Sequence, residues 1–389
     1  MTPRRDVFAV ARGQYENVGD VLLRRPLLRW ARESGSRLHV YVGHSPDGYD
    51  EGLALEPDDV VYRSFARWYA ALVRSAWAGR ASSLFKPGEI QLTLVGTKEH
   101  LVMLPAVALV RARGGAVLRV GAGARGFAPL PRALVRPSIL LTTFTRWRDE
   151  ATAAYLGGGP AMPDLGYAEG AGTATLRAAR DGADERDVLV VSFRADAEVA
   201  PRPYPTPAVV EALRRYAAEE GLETWVVTQV SVDDERSHRL AADLDAHVLG
   251  WPQATGHDVQ EERLRALYRR ARVVLSDRLH VVIAAFTEGA APVSLQLDAS
   301  DKAARHLSTI GVHDVTVDAT GLDAGTVLER VRTAAGRRAD ALDALLVARE
   351  RLDDVRGDVV RLLAGHDARV GPAPVDDAPA GRPEQVRVG

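Results

Sequence analysis

The stretch Arg272-Val-Val-Leu-Ser-Asp-Arg-Leu-His280-Val-Val-Ile-Ala-Ala-Phe-Thr-Glu-Gly289-Ala-Ala-Pro292-Val-Ser-Leu295 decides the fold. Residues 273–275 are a short apolar, β-branched run, the pattern of a buried parallel strand. Ser276 and Asp277 are helix N-cap residue types. Residues 278–288 then read as a buried helix with Gly289 as its stop, and residues 292–295 open another strand. Arg278 and His280 thereby fall in the first turn of a helix, just past the carboxyl end of a strand. Open α/β sheets bind their ligands there, and the free N–H groups and dipole of a helix start favour an anion. An arginine and an imidazole added to that spot point to a phosphate or carboxylate. Two plainer roles stand beside this one: the arginine pairs with a neighbouring carboxylate, and the histidine is a hydrogen-bonded structural residue.

Strands and helices alternate on both sides of this unit. Upstream, residues 188–193 read as a strand ending in Arg194-Ala-Asp196, followed by helix 206–220, strand 223–229, helix 233–244, short strand 247–250 and helix 261–270. Downstream, residues 301–310 and 314–317 continue the alternation, and the chain after 322 reads as helix with a heptad-like run over 341–363. Arg194 directly follows a buried strand, so it too sits at the carboxyl edge of the sheet. Guanidinium forks suit both phosphate and carboxylate.

Near the N-terminus, strand 6–11, the turn-rich loop Arg12-Gly-Gln-Tyr-Glu-Asn17-Val-Gly19-Asp20, helix 21–33 and strand 38–43 make an α/β opening. The loop is neither a GxGxxG fingerprint nor a Walker motif. By capping preference alone, Asp20 is a helix N-cap. Helix 62–80 places Trp68, Tyr69, Leu72 and Trp77 on an apolar face. Strands are expected at 90–95, 116–120 and 138–143, with helices at 101–113 and from 146 to 156. The segment Gly121-Ala-Gly-Ala-Arg-Gly126 reads as a glycine-rich loop after a strand, able to approach a ligand closely or simply to turn. Residues 168–186, rich in Gly, Ala and charge, suggest a linker, and the β–α series restarts at Val188. The expected architecture is therefore two Rossmann-like α/β domains with parallel sheets and a ligand cleft between them. Residues 1–170 form the first domain, 171–186 the linker and 187–365 the second domain with a long C-terminal helix. The Pro-, Ala- and Asp-rich segment 366–389 reads as a disordered tail.

Composition narrows the function classes. The 389 residues are 46% hydrophobic and 26% charged, as in a soluble globular protein. The net charge of −2 gives no bulk electrostatic case for nucleic acid or an anionic membrane. Without cysteine, disulfides, thiolate catalysis and Cys-based metal sites are excluded. The ten histidines show no HxH or HxxxH pairing, so no metal site is expected. No secretory h-region and no 18-residue apolar run appear, which makes the cytoplasm the expected compartment. Only three lysines occur, Lys86, Lys98 and Lys302, among 50 basic residues. In so arginine-biased a chain, a retained lysine hints at specific chemistry, because ammonium and guanidinium are not interchangeable.

Ser276-Asp-Arg-Leu-His280 with Gly289-x-x-Pro292 resembles the signature of the polysaccharide pyruvyltransferase family. The resemblance extends, in order, over Asn17-x-Gly19-Asp20, Gly121–Gly126, Arg148-Asp149, Pro163-Asp164 and Ser192-Phe-Arg194, covering roughly residues 8–320. One part of the pattern is missing: where the family carries a Gly-Gly-Gly segment, this chain reads Val95-Gly96-Thr97-Lys98-Glu99-His100. The resemblance implies a GT-B-like fold and transfer of a pyruvyl group from phosphoenolpyruvate to a sugar hydroxyl of a cell-surface polysaccharide or its precursor, as a ketal, with no cofactor. It implies that Arg194 and Arg278 hold the phosphoenolpyruvate anion, with Asn17, Gly19, Ser276 and Lys302 as further substrate-binding residues. His280 would be the general acid, protonating the methylene carbon or the leaving phosphate oxygen, and Asp20 would orient or deprotonate the sugar hydroxyl. A lysine at 302 is equally explained as a surface residue at a helix start. Arg148 and Asp149 are expected to brace the interdomain junction. The implied partners are phosphoenolpyruvate and a glycan or a lipid-linked or nucleotide-linked sugar, with peripheral association with membrane-bound glycan assembly. Two alternatives remain open: a GT-B nucleotide-sugar glycosyltransferase using the same helix for a diphosphate, and a non-catalytic glycan-assembly protein of the same fold.

Overall fold

The computed structural model describes residues 5–183, 185–195, 202–298 and 300–365; Asp196 and the tail 366–389 lie outside the described residues. Two all-parallel sheets organise the chain. The first contains β1 (Asp6–Val10), β2 (Arg37–Tyr41), β3 (Val60–Tyr62), β4 (Ala81–Phe85), β5 (Gly88–Gln91), β6 (Val117–Arg125) and β7 (Phe144–Trp147). Its order is β3-β2-β1-β4-β6-β5, with β7 also paired to β6. The second contains β8 (Val188–Ser192), β9 (Glu223–Val227), β10 (His247–Leu249), β11 (Ala271–Ser276), β12 (Ala291–Gln296) and β13 (Thr316–Asp318). Its order, β10-β9-β8-β11-β12-β13, reverses direction between β8 and β11. In a doubly wound sheet that reversal opens a crevice at the carboxyl ends. The α/β reading with two parallel sheets therefore holds.

Strands covered by helices on both faces need near-continuous apolar sequence. Val-Leu-Val-Val-Ser in β8 meets that need, and every residue of it is buried. The first sheet is covered on one face by helix Val18–Glu33 and by the last helix, Arg338–Ala364, whose Leu342, Leu345 and Leu352 share a core with Val7, Leu28 and Leu38. Helices Phe65–Trp77 and Lys98–Ala112 cover the other face through Trp68, Leu72, Met103 and Val107, and helix Pro129–Leu140 extends that layer through Val135 and Ile139.

Several local readings differ from the structure. The glycine-rich stretch 121–126 is not a loop: β6 runs through it to Arg125, with a register shift at Gly121, where φ is +75°. Glycine within a strand marks a bulge or a close approach, and both occur here. A Cβ on Gly123 would sit 2.5 Å from Arg148 Nε. Residues 138–143, read as a strand, lie at the end of helix Pro129–Leu140 and in the turn before β7. A short apolar run does not distinguish the two states. Strands β3 and β4 were not expected; β4 is Ala-Ser-Ser-Leu-Phe, buried throughout but too poor in branched residues to stand out. Trp77 is 68% exposed rather than part of the helix's apolar face. The stretch read as a linker contains helix Thr173–Arg180, whose Leu176 and Ala179 pack into the core beneath the last helix.

A buried ionic cluster joins the two sheets' helices. Arg25 reaches Glu169 at 2.6 Å and Glu261 at 2.7 Å, while Arg265 reaches Glu261 at 2.8 Å and Glu288 at 2.7 Å. Removing one partner of such a set strands a buried charge. Arg25→Ala is expected to cost about 3–5 kcal/mol of stability, read from the urea midpoint. Arg29→Ala, which removes a half-exposed partner of Glu169, is expected to cost about 1 kcal/mol or less.

Candidate active site

The loops after the strands of both sheets converge on one cleft of about 720 Å³. Its second-sheet wall follows from strand register. β8 and β11 pair with Ser192 opposite Ser276, so Arg194 and Arg278, each two residues past its serine, emerge side by side. Ser276 Oγ donates to the Ser192 carbonyl at 2.6 Å and accepts from Arg278 N at 3.0 Å. Ser276 thus lies under the site and does not line it. Helix Leu279–Phe286 begins one residue later than the sequence suggests, with Arg278 at the N-cap. Asp277, rather than capping, accepts from Arg194 N at 2.8 Å and faces Arg194 Nε at 3.4 Å. Burial pushes the Asp277 carboxyl up despite that arginine. Arg278 forks onto the fully buried Asp233, with Nη2 to Oδ1 at 2.7 Å and Nε to Oδ2. Asp233 also accepts from Ala195 N at 2.7 Å. Both arginines are therefore braced by carboxylates while lining the cleft.

The first-sheet wall is the loop after β1. Asn17, not Asp20, caps helix Val18–Glu33, its side chain accepting from Gly19 N at 2.9 Å. Asp20 lies in the first turn, accepts from Gln14 N at 2.7 Å and pairs with Arg24 at 3.2 Å. Burial opposes the Asp20 charge, but Arg24, the Gln14 N–H and His280 together hold its carboxyl below the usual range. Gly19 is set back from the cleft, beneath His280: a Cβ there would meet His280 Cβ at 2.7 Å.

His280 itself lines the cleft. Its Nε2 points to Asp164 Oδ2 at 3.8 Å, and both atoms are buried without a hydrogen-bond partner. Asp164 is 1% exposed and is anchored through Oδ1 by Gly166 N at 2.9 Å. Although burial penalises its charge, the imidazole and Arg148 keep Asp164 well below the ordinary carboxylate range. Asp164 thereby backs the edge of the imidazole with a buried carboxylate from beneath the cleft. Sequence reading did not assign this role to Asp164; the signal was its place in the Pro163-Asp164 segment.

All three lysines of the chain line the same cleft, as do six arginines. Only four carboxylates, Asp20, Glu89, Glu99 and Asp277, oppose them. Lys302 pairs with Glu89 of β5 at 2.7 Å. Burial and the neighbouring Arg148 lower the Lys302 pKa, and Glu89 opposes them. Burial disfavours the Glu89 charge as well, but Lys302, Arg148 and Arg125 outweigh it and hold its pKa down to about 2. Arg148 is 2% exposed, lines this cleft and also an adjoining cavity of about 460 Å³, and has a buried Nε without a partner. Asp149, by contrast, caps helix Glu150–Leu156 through Thr152 N at 2.8 Å.

No protein-family profile matches the sequence, and no curated protein matches it. Among solved structures, the chain is similar to UDP-GlcNAc 2-epimerase from Neisseria meningitidis bound to UDP-GlcNAc, at 11% identity and a TM-score of 0.57 over 92% of this chain and 99% of that one. It is similar to Anabaena HepE in complex with UDP, at 12% identity and a TM-score of 0.55 over 92% and 99%. UDP-GlcNAc 2-epimerase from Methanocaldococcus jannaschii aligns at 10% identity and a TM-score of 0.52 over 87% and 93%. At these identities the likeness shows the fold alone: two Rossmann-like sheets in the GT-B arrangement.

Two outcomes test this geometry. Gly19→Ala is expected to destabilise by about 1–3 kcal/mol through overpacking against His280, seen as a lower thermal midpoint. Glu89, with its folded pKa depressed to about 2 from an ordinary 4.5, contributes stability that is present above pH 4.5 and lost as pH falls through 2. Glu89→Gln is expected to flatten that acid limb in denaturant titrations run across pH.

Proposed function

We propose that the cleft transfers the pyruvyl group of phosphoenolpyruvate to a sugar diol as a ketal, releasing phosphate. The observation that carries this reading is the placement of Arg194, Arg278 and His280 at the reversal point of one sheet, with Asp164 behind the imidazole. A compact donor bearing both phosphate and carboxylate suits such a cluster. Among the described residues of the second half that line the cleft, none is Phe, Tyr or Trp, and the one ring there is the imidazole of His280, so that wall lacks a broad aromatic platform for a nucleobase.

In this reading Arg194, Arg278 and Lys302 hold the donor's anionic groups and offset the charge growing on the leaving phosphate. A proton from His280 converts the methylene to a methyl group and leaves an electron-deficient carbon at C2. One sugar hydroxyl adds there and loses its proton. The bond to the phosphate oxygen then breaks, and the second hydroxyl adds and loses its proton to close the ketal. Of the two protons released, one balances that given to the methylene and one leaves with the phosphate. Asp20, held as a carboxylate by Arg24 and Gln14, is a weak base and serves to orient the incoming hydroxyl.

A second reading is favoured by the fold likeness itself. Two of the similar structures named above carry UDP-GlcNAc or UDP, and a GT-B transferase taking a nucleotide sugar would use the same helix start for the diphosphate. Calorimetric titration separates the two: phosphoenolpyruvate is expected to bind, and UDP-sugars are not. Arg194→Ala is expected to weaken phosphoenolpyruvate binding roughly ten- to a hundredfold, with Lys restoring only part because it lacks the fork. His280→Ala is expected to lower phosphate release by about 10²–10⁴-fold with little change in affinity. Tight binding of a UDP-sugar with none of phosphoenolpyruvate would instead select the glycosyltransferase reading.

A further inference from the structure

The chain's net charge of −2 hides a strongly polarised face. Residues 91–148 contain nine Lys or Arg and a single acid, Glu99, which is itself paired with Lys86 at 3.5 Å. Arg119 and Arg148 are buried and Arg125 and Arg146 pair with Glu89 and Asp358, which leaves Lys98, Arg111, Arg113, Arg132 and Arg136 to charge the face. The same segment concentrates exposed apolar side chains. Of the twelve large hydrophobic residues that stand exposed among the described residues, seven fall between 94 and 140. Leu94 and Val95, 61% and 72% exposed, occupy the loop that leads into helix Lys98–Ala112, and Leu101 continues the patch on its first turn. Helix Pro129–Leu140 packs beside that helix. Its outward stripe is Leu130, Ala133, Pro137 and Leu140, with Arg132 and Arg136 as its only charges. An amphipathic helix buries the opposite pattern, with the apolar side inward.

We propose that this face docks on an anionic phospholipid bilayer. Leucines projecting from a helix layer, flanked by arginine and lysine with almost no acid, match the boundary between acyl chains and negatively charged headgroups. The charge complementarity is local, so the slightly negative whole does not oppose it; at physiological salt only charges within about 8 Å of the surface count. The position of the patch adds a functional consequence. Lys98 and Val102 belong both to the patch helix and to the cleft wall, so docking brings the first-half side of the cleft down to the headgroup plane. A substrate tethered in the bilayer would then enter without leaving it. The proposal concerns the surface alone and stands whichever donor the cleft takes.

Co-sedimentation of the full chain with vesicles tests it. The protein is expected to pellet with phosphatidylcholine vesicles containing phosphatidylglycerol, and not with phosphatidylcholine alone, and to be released by high salt. The paired change Leu94→Ser and Leu130→Ser, at exposed positions away from the cleft lining, is expected to weaken vesicle binding about tenfold or more. Val259→Ser, at an exposed apolar site on another helix, is the control and is expected to leave binding intact. Equal binding to uncharged vesicles, no binding to either, or a loss no larger than the control's overturns the proposal. So does self-association in ultracentrifugation that the two serines abolish without any vesicle binding, which would assign the patch to a second copy of the chain.

Discussion

The hydrogen bond from Ser276 Oγ to the Ser192 carbonyl, at 2.6 Å, locks the register on which the site depends. Strand side chains alternate with a period of two, so a slip of one residue between β8 and β11 would send every side chain to the other face. With Ser192 opposite Ser276, the chain needs no loop design to bring two arginines together. They leave the sheet at equal offsets, at the one place where neighbouring crossovers run in opposite directions. Asp277 and Asp233 then brace the two arginines. Fully buried, a carboxylate such as Asp233 is tolerated only because it is paired and hydrogen-bonded.

Concentrating cations in a cleft works against folding, and the structure distributes that cost. Glu89 lies among Lys302, Arg125 and Arg148 and links the first sheet to the second. Asp164 answers both His280 and Arg148 from below. Farther back, Arg25, Arg265 and the half-exposed Arg29 meet Glu169, Glu261 and Glu288, three cations against three carboxylates. The cleft thus keeps a positive bias at its mouth without leaving the interior uncompensated. Several buried polar atoms around it, Arg148 Nε, His280 Nε2, Asp164 Oδ2 and His306 Nδ1, still lack partners. Hydrogen bonds in such sites are often long when empty and tighten around a substrate.

How much of this was legible in the sequence depends on the kind of signal. Buried parallel strands announce themselves: Val-Leu-Val-Val at 188–191 and Val-Val-Leu at 273–275 both proved to be central strands. With their positions known, the sequence alone places Arg194 and Arg278 at a common edge. The first sheet was harder because its strands are short or rich in small residues. Ala-Ser-Ser-Leu-Phe in β4 and the glycines of β6 carry little β propensity, and tertiary burial alone makes them strands. The pairing of Asp164 with His280 was out of reach for another reason. The two are 116 residues apart and meet only when the halves close on each other, which no local period encodes. The lysines were legible only as a scarcity; their common destination is a property of the fold.

That scarcity has a practical corollary. Lys86, Lys98 and Lys302 hold every side-chain amine in the protein, and all three open into the cleft. Amine-selective reagents that decorate most proteins at random would here, apart from the α-amine, meet side chains in the cleft alone. Acylation, biotinylation or coupling to an activated surface would report on the cleft's occupancy rather than on the outer shell. Conversely, a preparation immobilised through its lysines would present its back to the solvent and its site to the matrix. Guanidinium-rich surfaces are usually discussed in terms of stability; in this chain their effect is to make one pocket chemically distinct from everything around it.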